Sequence, residues 1–587
     1  MTILSAGDVD GAGLITASAL EPIVAATGIG GTTALELAAS AITADNITSG
    51  NVDIDNALAG AVTVTTLPTA GGGTILFEQE GGGNVAFGTV STTTDGTPTD
   101  GEDDITLSSD SGDLTITTSV TADGEGDIIY TTTSGNVELT GTSTADGNSV
   151  TINSVGDIDG AGLVTASVVD LNAATGIGGT TALELTAANI SADTTTGTID
   201  IDNTLGTPVT VSSLTTGTGQ VTDAGNIFFD QSGGGLVTFS TITTSTTSAN
   251  PGEGDISLAN TDAGLTIDGL VTAGGAGAVD LDANGVDSDI LVNAAIATTN
   301  LGEVQIEADD SVIFTATGSV AAGGSGNVSV RANTADTAGD SGDAISMADG
   351  ALIDAGSGTI LLEASDDITL GGLVTTNGTT SAVTLTTSSA VIDGGETDVD
   401  VVAASGRLVI DAQSGVGSSG ANGAIETTVA SLDIDNATGG NIDILETDLV
   451  TVFKTAQAIA GDIRVVSGGT LTVDNGPAAT SAIIAAGTGD ITLTTTGGTS
   501  DIAINADIQA VSGDIELTAG RSITTDNTGA VITTLNGSGT LALRAVNAIG
   551  TTGNRIDTDV SIVATQINGA GTTGDIFINQ MMVSRKI

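Results

Sequence analysis

The pentapeptide GDITL, Gly489 to Leu493, holds in five residues the pattern that decides the fold of this chain. A glycine precedes a polar residue, and two aliphatic residues then alternate with threonine. Alternation at period two and β-branched side chains are typical of a short, half-buried strand, and glycine marks the turn before it. We therefore predict that Ile491 and Leu493 point into a core, whereas Asp490 and Thr492 face water.

The same phrase recurs along the chain with the period of one solenoid coil. Neighbouring copies begin 23, 24 and 21 residues apart, at Gly50 and Gly73, Gly302 and Gly326, and Gly440 and Gly461. A unit of this length is too short for a sandwich domain but fits one coil with two or three short strands. Helical stripes are nearly absent. We predict an all-β, parallel β-helix (β-solenoid) of about 25 coils, an elongated rod about 120 Å long.

A longer repeat contains the short one. The eleven residues TGIGGTTALEL occur at Thr27–Leu37 and again at Thr175–Leu185, and flanking segments recur at a similar offset. A module of about 150 residues thus appears twice in tandem. We predict one β-solenoid module over residues 1–155 and a tandem copy over 156–306. Diverged coils follow over 307–580, and an off-pattern tail over 581–587.

Each tandem copy contains a glycine-rich corner followed by a strand with an acidic residue. The corner is Gly28-Ile29-Gly30 before Glu36, and looser copies occur at residues 414–427 and 547–558. This pattern resembles the repeats of large bacterial surface proteins of the filamentous haemagglutinin class. The resemblance implies a right-handed parallel β-helix, export through an outer-membrane pore, and adhesive or fibrous work at the cell surface. We expect the sequence to be a piece of a longer protein.

The composition excludes several kinds of partner. The chain has 72 acidic and 9 basic residues, a formal net charge of −63, and no Lys or Arg before Arg331. Nucleic acids and anionic membrane surfaces both require a basic face, so neither is expected to bind. No apolar run is long enough to cross a membrane, which predicts no membrane insertion. Hydrophobic residues make up 39% of the chain, which is too many for a disordered one.

The side chains that could carry out catalysis or bind a metal are mainly carboxylates, because the chain has no His and no Cys. We predict a protein that is not an enzyme, with no catalytic, cofactor-binding or metal-binding residue assigned. The alternative is a polysaccharide lyase or tailspike-like glycosidase on the same fold. Calcium is a second alternative, because the tetrapeptide DIDN occurs at residues 53–56, 200–203 and 433–436, with both Asp side chains on one side of a strand. A solvated acidic face explains the same pattern.

These observations together predict a structural or adhesive extracellular protein, a surface adhesin or fibre subunit of a bacterium. Its partners would be copies of itself, or glycans and other components of a cell surface. A calcium-dependent binding module remains open beside this prediction.

Overall fold

The computed structural model describes residues 1–96, 101–221, 224–333, 342–395, 398–419, 422–475, 482–527, 529–569 and 574–581. These residues contain no helix, and their strands pair in parallel in about 24 stacked coils. The predicted parallel β-solenoid is therefore confirmed. Residues 582–587 of the predicted off-pattern tail lie outside the described residues, and the predicted module boundaries stay a prediction.

The chain forms two compact units. Unit 1 comprises Met1–Gly285 with Thr298–Gly302, and unit 2 comprises Val286–Ala297 with Glu303–Ile587. In chain order, strands β1 to β26 are Ile3–Leu4, Ile15–Ala17, Leu20–Ala25, Leu35–Ala39, Ala41–Asn46, Val52–Asn56, Val62–Pro68, Ile75–Gln79, Val85–Ser91, Ile105–Ser109, Leu114–Ala122, Ile128–Thr132, Val137–Leu139, Thr142–Ser154, Asp157–Asp159, Val164–Ala173, Gly176–Ile177, Leu183–Thr194, Gly197–Thr204, Val209–Val221, Ala224–Ser232, Val237–Thr246, Ile256–Thr261, Leu265–Ile267, Val271–Ala273 and Val279–Asn284.

The numbering continues after Val286. Strands β27 to β57 are Ile290–Val292, Ala295–Thr298, Val304–Ala308, Val312–Phe314, Ser319–Ala321, Val328–Ala332, Ile345–Met347, Leu352–Asp354, Ile360–Ala364, Ile368–Leu370, Gly372–Val374, Val383–Thr387, Val391–Asp393, Val401–Ala412, Ile425–Asn436, Ile442–Glu446, Val450–Gln457, Ile463–Ser467, Leu471–Val473, Ile483–Ala485, Ile491–Thr495, Ile502–Ile504, Ile508–Ala510, Ile515–Ala519, Ser522–Thr524, Val531–Thr534, Thr540–Ala545, Ala548–Ile549, Ile556–Asp559, Ile562–Ile567 and Ile578–Gln580.

The number of strands in a coil differs between stretches of the chain. From β6 to β18 each strand pairs with the second strand after it, as β6 does with β8 and β8 with β10. From β29 to β37 each strand pairs with the third after it, as β29 does with β32. In a coil of two strands, a strand continues through a corner instead of ending there. β14 does so through a bulge between Ala145 and Ser149.

Parallel pairing in register places equivalent residues of successive coils on top of one another. Val52 pairs with Ile75, Val304 with Val328 and Ile442 with Ile463 at the spacings read from the sequence. One column of the core of unit 1 consists of side chains with no exposed surface, Ile54, Phe77, Leu107, Tyr130 and Ile152. Each such side chain contributes about 1.5–3 kcal/mol through its burial.

Four of the nine aromatic residues occupy equivalent places in the two tandem copies. The rings of Phe77 and Phe87 pack edge to face with centroids 5.2 Å apart, and those of Phe229 and Phe239 do so at 5.4 Å. All four side chains are fully buried. The aromatic pair therefore belongs to the repeated module and fills its core with large apolar side chains.

The motif G-[IV]-G forms a corner that brings its middle residue into the core. Ile29 is fully buried and bridges Val9 and Val52 of the coils on either side. Gly30 has φ +69°, and a Cβ atom there would lie 2.1 Å from the carbonyl oxygen of Asp53. The glycines at the equivalent position, Gly178, Gly417 and Gly550, have φ of +67°, +66° and +68°; in the last corner Ala548 replaces the first glycine. Both the left-handed backbone and the close approach of the next coil thus require glycine.

The orientation predicted for GDITL is confirmed. Ile491 and Leu493 have no exposed surface, whereas Asp490 is exposed and Thr492 half-buried. The equivalent phrase at Gly574 departs from this rule, because Ile576 is 43% exposed. Ile576 forms only an isolated bridge, to Ile549. Among the described residues, no further coil covers the other side of Ile576.

Candidate functional site

Outward-facing carboxylates form rows across successive coils of unit 1. Glu36 pairs in register with Asp55, and Asp55 pairs with Glu78. We call this row the first acidic ladder. A second acidic ladder repeats it in the tandem copy, through Glu184, Asp202 and Asp230. The second Asp of the first two DIDN segments therefore belongs to a row that the stacking of coils creates.

The ladders crowd like charges at partly buried positions. Burial raises the pKa of Asp55, and the charge of Glu36 raises it further. Burial and then the neighbouring carboxylate of Asp55 raise the pKa of Glu78. Beside the second ladder, burial followed by repulsion from neighbouring Asp side chains raises the pKa of Asp200 to about 6. The sequence supplies no Lys or Arg to compensate these charges before Arg331.

We expect the melting temperature of the chain to rise when the pH is lowered from about 7.5 to about 5. A carboxyl whose pKa is raised on folding binds more protons in the folded than in the unfolded state. Its contribution to stability therefore increases as the pH falls through the folded pKa, near 6 for Asp200. Differential scanning calorimetry across this pH range measures the effect. The Asp200→Asn variant should show a smaller slope, and an unchanged slope in that variant would contradict the assignment.

Basic residues compensate the acidic face in unit 2. Six side chains form ion pairs with carboxylates 19 to 32 residues away, which joins neighbouring coils. The pairs are Arg331–Glu363, Arg407–Asp433, Lys454–Asp435, Arg464–Asp443, Arg521–Asp501 and Arg544–Glu516. Both Asp residues of the third DIDN segment, Asp433 and Asp435, are therefore ion-paired, unlike those of the first two.

The Asn of each DIDN segment points inward and closes a buried hydrogen-bond network. Asn56 Oδ1 accepts a hydrogen bond from Ala39 N at 2.9 Å, and its Nδ2 donates to Ala39 O at 3.1 Å and to Gln79 Oε1 at 2.7 Å. Asn203 makes the same three contacts with Ala187 and Gln231. This role was not among the predictions from the sequence. Its signal was a Gln in the next coil, Gln79 or Gln231, at the position that pairs in register with the Asn.

Calcium was considered for the DIDN segments because of their paired carboxylates. The structure brings one of these carboxylates, Asp55, together with Glu78 and Glu80, with one oxygen of each within 4.8 Å of the others. Glu80 is exposed and the other two are half-buried. Water reaches this group, so a solvated acidic face accounts for it without a cation.

A different trio of carboxylates is buried in unit 2. One oxygen each of Asp393, Asp400 and Glu426 lies within 4.8 Å of the others, and the three residues are 7%, 1% and 9% exposed. Asp393 also lines a cleft of about 490 Å³. Of the three, only Glu426 lies in a predicted corner-and-strand segment, residues 414–427, where it is the acidic residue after the corner. Its equivalents Glu36 and Glu184 are half-buried.

The signal for this trio was an interruption of the repeat. In the sequence, residues 394–400, GGETDVD, are glycine and polar residues with a single Val, and they lack the alternation of apolar residues found elsewhere. This segment connects β39 to β40 and ends with Asp400. Carboxylates in parallel β-solenoids otherwise recur with the coil, so a break in the alternation was the feature that could have predicted a cluster.

No family model, no curated protein and no solved structure matches this chain. None of the described segments is a helix of the length and apolar character that a membrane span requires. The absence of catalytic and cofactor-binding residues stays a prediction.

Proposed function

We propose that this chain is a structural or adhesive repeat protein of the bacterial cell surface or extracellular space, in the manner of the filamentous haemagglutinin class. It acts as a surface adhesin or fibre subunit and performs no catalysis. The observation that carries the proposal is the repetition of outward-facing side chains in register from coil to coil. The two acidic ladders of unit 1 are the clearest case.

The chemistry of such a surface supports contacts that are many and individually weak. Rows of carboxylates, Thr and Ser repeat with the spacing of stacked strands, about 4.8 Å. A polymeric glycan or a second copy of the chain presents a repeating partner, so single contacts add up along the row. The buried aliphatic core beneath keeps each row in place and faces no partner.

One incubation separates the proposed function from its enzymatic alternative. The full chain is mixed with a panel of bacterial and host polysaccharides, and both bound protein and released oligosaccharide are measured. We expect binding without release. Released oligosaccharide would show a lyase or glycosidase and overturn the non-enzymatic part of the proposal.

Self-association is tested separately by electron microscopy of the chain at high concentration. We expect end-to-end filaments, because the terminal strands of a solenoid have unpaired backbone edges. Isolated particles together with no binding to any polysaccharide would overturn the adhesive and fibrous proposal.

A further inference from the structure

The buried carboxylates Asp393, Asp400 and Glu426 come from three places on successive coils. Asp393 ends β39, Asp400 immediately precedes β40, and Glu426 is the second residue of β41. We call them the carboxylate trio. The register between β40 and β41 pairs Val401 with Thr427, which places Asp400 beside Glu426. The backbone thus holds Asp400 and Glu426 side by side.

Hydrogen bonds to the main chain fix two members of the trio. The Asp400 carboxylate accepts a hydrogen bond from Glu426 N at 2.8 Å, and Leu373 N donates to the Asp400 carbonyl oxygen at 2.7 Å. Asp393 Oδ1 accepts a hydrogen bond from Gly395 N at 2.8 Å. These bonds orient the carboxyl groups before any ligand arrives, which is the arrangement of a preorganised site.

The second oxygen of Asp393 provides an independent indication of a ligand. Asp393 Oδ2 is buried and has no hydrogen-bond partner among the described residues, and the residue is only 7% exposed. An unsatisfied carboxylate oxygen in this position is unfavourable unless a cation or a proton reaches it. Asp393 borders the cleft of about 490 Å³, which also contains the side chains of Ser414 and Asn441. Asp393 therefore lies beside a space large enough for an ion with water molecules.

Charge and spacing identify the kind of ligand. Three carboxylates that lie this close together and are shielded from water repel one another strongly, and a cation between them removes that repulsion. Oxygens that surround one Ca²⁺ at about 2.3–2.6 Å lie no farther apart than about 5 Å. The trio satisfies this limit, because its oxygens lie within 4.8 Å. Its ligand set consists only of oxygen, which hard divalent cations prefer.

We propose that Asp393, Asp400 and Glu426 bind one calcium ion, with water in the adjoining cleft completing its coordination. The ion holds Asp393, at the end of β39, and Asp400, just before β40, against Glu426 of β41. The site differs from the solvated group of Asp55, Glu78 and Glu80, and it does not depend on an adhesive function.

The test is titration of the full chain with CaCl₂ after treatment with EDTA, in about 150 mM NaCl to screen diffuse attraction. Isothermal titration calorimetry should show one saturable site, and the melting temperature should rise with calcium by mass action. Asp393→Asn should weaken this binding about tenfold or more. The matched control, Asp55→Asn combined with Glu78→Gln, should keep it.

Three results would overturn the proposal. They are the absence of saturable binding in the wild-type chain, an unchanged affinity in Asp393→Asn, and an equal response to MgCl₂ at the same concentration, which would indicate screening only. Circular dichroism in EDTA establishes that each variant is folded. If Asp393→Asn does not fold, Glu426→Gln replaces it in the same titration, and unchanged affinity in that variant would equally refute the site.

Discussion

We expect Gly178→Ala to destabilise unit 1 by about 3 kcal/mol or more. Gly178 has φ +67°, and a left-handed backbone alone is unfavourable for alanine by about 1–2 kcal/mol. An added Cβ would also lie 2.1 Å from the carbonyl oxygen of Asp200 in the next coil. That oxygen belongs to the backbone, so the coils must separate to admit the methyl group. Chemical denaturation and hydrogen exchange in β17 and β19 measure the loss.

The neighbouring glycine supplies the control. Gly179 does not have a left-handed backbone, and a Cβ there would meet nothing within 4 Å. Gly179→Ala should therefore change stability by no more than about 0.5 kcal/mol. Equal effects of the two substitutions would contradict the role assigned to the corner, because both remove the same amount of backbone flexibility from the unfolded chain.

The second large effect is expected for Asn56→Asp, at about 3 kcal/mol or more of destabilisation. The substitution replaces the Nδ2 donor by an oxygen that faces Ala39 O and Gln79 Oε1, and it introduces a buried charge. The loss should become smaller at low pH, because protonation removes the charge and restores one donor. Urea denaturation at about pH 7.5 measures the loss of stability, and the same measurement at about pH 4.5 tests whether the loss becomes smaller.

The reverse exchange at the preceding residue, Asp55→Asn, is an isosteric control. Asp55 points outward between Glu36 and Glu78, so Asp55→Asn removes repulsion and loses no buried contact. It should leave stability unchanged or raise it slightly. A loss comparable to that of Asn56→Asp would mean that the ladder, and not the buried network, stabilises this coil.

Sequence periodicity was sufficient to predict the core. Apolar residues that alternate after a glycine, as in GDITL, are buried in the structure, and the spacing between phrases equals the offset between paired strands. Local pattern is reliable here because each strand meets the same kind of neighbour in the coils above and below. Glycine at each corner likewise predicts a left-handed backbone, because glycine adopts positive φ without steric cost.

The buried polar residues were not predictable in this way. Asn56 and Asp55 are adjacent polar residues in one tetrapeptide, yet one is fully buried and the other half-exposed. Alternation assigns them to opposite faces, but it does not show that a Gln 23 residues later completes the network. The carboxylate trio depends in the same way on residues from three segments, separated by a connection that breaks the repeat.

The all-β class, the length of the coil and the identity of the inward-facing aliphatic residues can be read from the sequence alone. These properties depend on short-range alternation and on glycine at strained corners, which a single strand already encodes. The number of strands in a coil, the pairing of Asn with Gln, and the meeting of Asp393, Asp400 and Glu426 became known only from the fold, because they depend on which residues of different coils share one register. The stacking of the coils sets that register, so the sequence of a single coil does not show it.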